Sequence, residues 1–137
     1  IENTVDLTSS AIDCSSGDIV QALTIPASHV ILWAGFQVTE SATMNTGTNA
    51  TATLGTAVDP NEYVTAFDID GAADAAYAPT VAQAGVLVTA TADTMDLTFA
   101  GDGATFSAGK IRVFCLLMDV SELSPRTANE VDRDLLA

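Results

Sequence analysis

Basic residues are scarce in this 137-residue chain, which has four lysines and arginines against 18 aspartates and glutamates. The formal net charge is therefore −14. Nucleic-acid binding requires clustered lysine and arginine side chains that neutralise phosphates, so we expect no nucleic-acid partner. An acidic surface of this kind also repels other acidic macromolecules and keeps a protein in solution.

Aromatic residues, histidine and long apolar runs are scarce as well. Aromatics make up 6% of the chain, and His29 is the single histidine. Only His29 could therefore act as the base of a Ser–His or Cys–His site, and the chain has no hydrolase, metalloprotease or phosphate-loop motif. No apolar run approaches the roughly 20 residues of a membrane-spanning helix. We therefore expect a protein that is not an enzyme, uses no cofactor and has no membrane partner.

The two cysteines, Cys14 and Cys115, leave two interpretations open. They form a disulfide if the first and last strands are neighbours and the protein reaches an oxidising compartment; otherwise they are two buried thiols. Their spacing matches neither a CxxC motif nor a Cys/His metal pattern, so we expect no zinc site.

Alternation of apolar and polar residues with a period of two is the strongest positive signal. Within residues 29–40 it places Val30, Leu32 and Phe36 in one row of a strand and Trp33 in the other. Because successive side chains of a strand point to opposite faces, we predict that the row containing Leu32 faces the core. On this prediction Leu32→Asp buries an unpaired charge and unfolds the domain.

The same period predicts further strands between turns rich in Gly, Asp, Asn and Ser. The runs lie at residues 5–7, 19–25, 50–54, 63–69, 86–90, 94–99 and 110–120. In the run at 94–99, the polar residues, including Asp96, are expected to face solvent. The run at 110–120 is apolar on both faces, which predicts a central strand or one covered by a neighbouring subunit. The stretch 71–85 is predicted to be a long loop.

Seven to nine short strands with such turns predict an all-β fold, an antiparallel β-sandwich or jelly roll with extended terminal arms. We predict an N-terminal arm or edge strand at residues 1–16, a β-sandwich domain at 17–120 and a C-terminal arm at 121–137.

Three aspartates are a weak candidate for a calcium site. Asp68, Asp70 and Asp74 surround a glycine with the spacing D-x-D-G-x-x-D, and carboxylate oxygens are ligands that calcium prefers. The pattern lacks the full twelve-residue loop with its terminal glutamate, so an ordinary turn at Asp70-Gly71 is the alternative.

Several large apolar side chains are candidates for an interface with other proteins. Trp33 is either a sheet-packing residue or an interface anchor, a role in which tryptophan is enriched. The second face of the last strand and the apolar C-terminus add further candidates. The full set is Trp33, Phe114, Leu116, Met118, Leu135 and Leu136.

Taken together, several segments resemble a group of small virion structural proteins of tailed bacteriophages. These segments are residues 18–27, 30–39, 54–56, 59–63, 92–98, 109–114 and 118–121. The resemblance spans residues 17–121 and leaves the C-terminal segment outside it. It implies an all-β capsid decoration or cement subunit on the capsid exterior, commonly trimeric, whose partners are the major capsid protein and other copies of itself.

Two alternatives share these features. A phage tail, fibre or knob subunit would have the same fold and a different partner in the particle. A carbohydrate- or receptor-binding module would place Trp33 or Tyr77 in a solvent-facing groove. If the protein is a capsid subunit, we expect the terminal segments 1–13 and 121–137 to contact the capsid, so deletion of residues 122–137 should weaken attachment.

Overall fold

Two antiparallel sheets, each of four strands, form a sandwich in the computed structural model, which describes residues 1–12, 14–79 and 90–121. The prediction of an all-β antiparallel sandwich is confirmed. The strands are β1 (Glu2–Asp6), β2 (Ile19–Ile25), β3 (His29–Met44), β4 (Ala50–Gly55), β5 (Val64–Asp68), β6 (Ala76–Tyr77), β7 (Asp93–Gly101) and β8 (Phe106–Asp119).

Residues 80–89 and 122–137 lie outside the described part of the chain. The strand predicted at 86–90 falls almost entirely there, and so do Leu135 and Leu136. Within the described ranges, no helix is long and apolar enough to cross a membrane.

Sheet 1 has the strand order β1-β8-β3-β6, and sheet 2 has the order β2-β7-β4-β5. The central position predicted for the last strand is confirmed, since β8 lies between β1 and β3. The segment Glu2–Asp6 pairs with β8 as an edge strand, so these residues are part of the sandwich and do not extend away from it. The predicted loop at 71–85 contains β6, a two-residue strand that pairs with β3.

The core lies between the two sheets as one cluster of buried apolar side chains. Two edge-to-face ring contacts join the sheets directly. Phe36 of sheet 1 meets Phe67 of sheet 2 at 5.8 Å between ring centroids, and Phe99 of sheet 2 meets Phe106 of sheet 1 at 5.5 Å. Such pairs contribute about 0.5–1.5 kcal/mol each beyond the burial of their area.

A β-bulge overturns the predicted inward position of Leu32. The pairing of β3 with β8 shifts between Ile31 and Trp33, so Leu32 has no direct partner in the ladder, and 45% of its surface is exposed. The extra residue also moves Ile31 into the core cluster, because a bulge exchanges the two faces of a strand beyond it. Alternation by itself does not reveal where such an extra residue lies.

The predicted exposure of Asp96 is also wrong, since only 5% of this residue is accessible to solvent. Asp96 lies opposite Gly55, and the turn at residues 59–61 lies on that glycine. A Cβ atom at Gly55 would lie 2.0 Å from the carbonyl oxygen of Asp59, so only glycine admits this turn. One carboxylate oxygen of Asp96 is buried without a hydrogen-bond partner among the described residues, which costs stability.

Neither cysteine forms a disulfide, and both are buried. Of the two interpretations left open by the sequence, two buried thiols is therefore the correct one. Burial raises the pKa of the Cys115 thiol to about 11, because the apolar interior disfavours the thiolate.

We predict that Leu32→Asp folds, whereas Val38→Asp does not. Leu32 is exposed at the bulge, but Val38 is fully buried in the core cluster. An unpaired buried charge costs several kcal/mol, comparable with a total stability of about 5–15 kcal/mol. Thermal unfolding followed by circular dichroism should show a cooperative transition close to that of the wild type for Leu32→Asp and none for Val38→Asp. Loss of the transition in both variants would contradict the bulge.

We further predict that the native protein reacts very slowly with an aromatic disulfide reagent at pH 8. The thiolate is the reactive form, and both thiols are shielded from solvent. Absorbance should report two reacting thiols per chain once the protein is unfolded in guanidinium. Fewer than two would indicate a disulfide, and rapid reaction of the native protein would contradict the burial.

Candidate assembly surface

The outer face of sheet 1 carries a patch of large apolar side chains, which we call the aromatic face. Trp33 of β3 lies opposite Leu116 of β8, and Phe114 and Met118 flank Leu116 on the same side of β8. Tyr77 of β6 completes the group from the far side of β3. The exposed fractions are 48% for Trp33, 58% for Tyr77, 57% for Leu116 and 45% for Met118.

Phe114 is the centre of the aromatic face. Its ring stacks on Trp33 at 4.8 Å between centroids, with an interplanar angle of 21°, and lies 6.2 Å from the ring of Tyr77. Gly35 lies directly opposite Phe114 in the ladder and is buried. Because glycine has no side chain to occupy this position, the neighbouring rings can lie over it. The stacked rings form a preorganised apolar surface.

Charged side chains lie beside the aromatic face, toward one end of sheet 1. Lys110 donates a hydrogen bond to Glu40 at 2.7 Å and lies 3.9 Å from Asp6. Arg112 lies 3.7 Å from Glu2. The hydrogen bond to Glu40, followed by the negative charges of Glu40 and Asp6, raises the pKa of Lys110. The side chains in these pairs are about half exposed, so each pair contributes little to stability. The two cations offset two of the three negative charges at this end of the face.

The interface candidates from the sequence are thus partly brought together. Trp33, Phe114, Leu116 and Met118 form one surface, while Leu135 and Leu136 lie outside the described residues. From the sequence, Tyr77 is a candidate only for a carbohydrate- or receptor-binding site. The pairing of β6 with β3 shows that Tyr77 belongs to the same surface, and the short run 76–77 carried no alternation that could have indicated it.

The three aspartates of the calcium candidate do not converge. Asp68 accepts hydrogen bonds from the backbone N–H groups of Asp70 and Gly71, at 3.2 and 2.8 Å, and so closes the turn. Asp74 instead accepts a hydrogen bond at 2.9 Å from the backbone N–H of Ser41. Within the described residues, no group of three metal-binding side chains is placed to hold an ion. The turn at Asp70-Gly71 is present, and a calcium site at these aspartates stays a prediction.

The pKa values of Asp68 and Asp70 shift in opposite directions. Hydrogen bonds from the backbone of Gly71 and from the Asp70 side chain lower the pKa of Asp68. The hydrogen bond to Asp68 raises the pKa of Asp70, with burial and the negative charge of Asp68 acting in the same direction. Asp70 also borders an open cleft of about 370 Å³ lined by Ala42, Met44 and Gly71 among others.

His29 lies at the start of β3, with Nδ1 2.9 Å from the carbonyl oxygen of Ala27. Because a carbonyl oxygen can only accept, Nδ1 carries the proton in this contact. Asp119 lies opposite His29 in the ladder. Hydrogen bonds from Ser121 lower the pKa of Asp119, and the nearby His29 lowers it more weakly. These contacts lie at one end of the β3–β8 ladder, where β3 begins and β8 ends.

We predict that Asp68→Asn lowers the pKa of Asp70. The Asp68 carboxylate accepts a hydrogen bond from protonated Asp70 and repels its ionised form. The asparagine amide carries no charge, so the repulsion disappears, and the hydrogen bond that its oxygen can still accept is weaker than one to a carboxylate. Carbon-13 NMR titration of the carboxyl groups should show Asp70 titrating at a lower pH than in the wild type. Glu62→Gln removes a carboxylate before the start of β5, whereas Asp70 follows its end, so this variant serves as a control and should leave Asp70 unchanged. An unshifted Asp70 in Asp68→Asn would contradict the pairing.

Comparison with solved structures identifies a protein of similar fold. A chain of the structure of the Cyanophage Pam1 capsid asymmetric unit matches with a TM-score of 0.59 and 20% sequence identity. The match covers 85% of this chain and 79% of that chain. At this identity the similarity shows a shared fold. Comparison with protein-family models and with curated proteins finds no match.

Proposed function

We propose that this protein is a virion structural protein of a tailed phage, a decoration or cement subunit that binds the major capsid protein on the capsid exterior. The observation that carries the proposal is the fold, shared over most of the chain with a component of a cyanophage capsid unit. The aromatic face and the acidic surface support it. A subunit of this kind needs a rigid β-fold and surfaces for assembly, and it needs no active site.

The mechanism is mass action. A subunit that binds the assembled shell, and not the separated capsid proteins, stabilises the shell in proportion to its occupancy. Many copies, each held weakly, can produce a large total stabilisation, and a trimer adds avidity because its three subunits engage the shell together. In this proposal the subunit is a homotrimer that links neighbouring capsid proteins. Residues 122–137, outside the described part, are proposed to add capsid contacts.

Carbohydrate or receptor binding is a second candidate, favoured by the exposure of Trp33 and Tyr77. Sugar-binding sites use the open face of an aromatic ring as a platform. Here one face of the Trp33 ring is covered by Phe114, and the surface is the flat side of a sheet. This geometry favours a broad protein contact over a sugar groove.

The proposal is tested with phage particles that are produced without this protein. Purified full-length protein should bind these particles at a copy number close to that of the major capsid protein and raise the temperature at which the shell releases its DNA. Electron cryo-microscopy should show the added density on the exterior of the shell. A few copies confined to the tail would favour the tail alternative, and no binding would overturn the proposal. An unrelated acidic protein of similar size and charge controls for nonspecific adsorption.

A further inference from the structure

The charge of the outer face of sheet 1 differs from that of the whole chain. The net charge of the chain is −14, yet Lys110 and Arg112, the only lysine and arginine in the described residues, both lie on this face. Together they face three carboxylates, those of Glu2, Glu40 and Asp6. These five groups have a net charge of −1 (two positive and three negative charges), which is small beside the −14 of the whole chain.

The charge distribution indicates which kind of partner protein can bind the aromatic face. Two copies that approach through other surfaces bring negative charge against negative charge, and this repulsion extends over about 10 Å at 0.1 M salt. Through the outer face of sheet 1, where two cations offset two of the three carboxylates, this repulsion is smaller. A partner with a basic surface would instead be attracted to the acidic remainder of the molecule. The charge therefore favours a second copy of this chain.

The composition of the face also fits an interface between copies. Aromatic side chains bury about 150–250 Å² each when fully covered, and Trp33 and Tyr77 leave about half of their surface exposed. With Leu116 and Met118, the exposed apolar area reaches a few hundred Å², the size that marks interaction sites on single chains. Lys110 and Arg112, beside their carboxylates, form a polar rim that can exchange ion pairs with a neighbour. An apolar centre with such a rim is the usual anatomy of an interface.

We propose that copies of this chain associate through the outer face of sheet 1, with Trp33, Phe114 and Leu116 at the centre of the contact. The inference specifies which surface the copies use, and it rests on the proposed function for the number of copies, which is three. It assigns the aromatic face to self-association, which leaves the acidic surfaces elsewhere available for the capsid. The three faces of a trimer would meet around its threefold axis.

The test compares variants of two exposed apolar residues on different sheets. Leu116 is 57% exposed on sheet 1, and Ile19, the matched control, is 61% exposed on sheet 2. Each is changed to Glu, which adds the same charge, and to Thr, which adds none and suits a strand. Light scattering after size exclusion measures the mass of the full-length protein, and circular dichroism verifies that each variant folds.

We expect the wild type and both Ile19 variants to have the mass of a trimer. Leu116→Glu should have the 14.1 kDa mass of a single chain. Leu116→Thr should associate more weakly, so it should already dissociate at protein concentrations at which the wild type is still a trimer. Trp33 is the only tryptophan, so its fluorescence emission should shift to longer wavelength as the wild type dissociates on dilution. If the wild type is a dimer and Leu116→Glu is a monomer, the result would support association through the outer face of sheet 1 and would overturn the trimeric state.

Three results would overturn the inference: a monomeric wild type, an undissociated Leu116→Glu, or equal dissociation of Leu116→Glu and Ile19→Glu. Binding of the same proteins to undecorated particles separates this inference from the proposed function. If the masses change as expected but no protein binds shells, the proposed function fails and the interface stands. If the wild type binds shells and Leu116→Glu keeps its mass, the interface is wrong and the proposed function stands.

Discussion

The pairing of β3 with β8 is the constraint on which both faces of sheet 1 depend. This ladder extends from His29 opposite Asp119 to Met44 opposite Phe106. On its inner side it places Phe36 against Val113 within the core. Because the side chains of a strand alternate, the same register brings the apolar residues of the outer side together. Core packing thus fixes the geometry of the aromatic face.

The bulge at Leu32 shows how closely the two faces are connected. An extra residue in β3 lets Ile31 join the core on one side of the bulge, while Trp33, beyond it, points outward and stacks on Phe114. Without the extra residue, a regular alternation would have placed Ile31 and Trp33 on the same face. The bulge therefore allows a well-packed core and an exposed tryptophan in one continuous strand.

The many acidic residues also have a structural role. Asp102 accepts hydrogen bonds from the backbone N–H groups of Thr48 and Asn49 and so joins two loops at one end of the sandwich. These bonds favour the ionised form and lower the pKa of Asp102, as the turn at Gly71 does for Asp68. A depressed carboxyl pKa stabilises the fold above the ordinary pKa of aspartate, and this contribution is lost as the pH falls through the folded value. The carboxylates that make the chain acidic thus also hold its loops in place.

The all-β class, the approximate positions of most strands and the apolar second face of β8 could be predicted from local patterns, because alternation with a period of two is a local property of strands. The sequence also indicated the acidic surface and the absence of known catalytic motifs. It did not reveal the bulge at Leu32, the burial of Asp96 or the place of Tyr77 beside Phe114. Each of these depends on which strands pair, in which register, and on which turn lies over a given residue. Such contacts join parts of the chain that are distant in sequence, so no local pattern reveals them and they become visible in the folded protein.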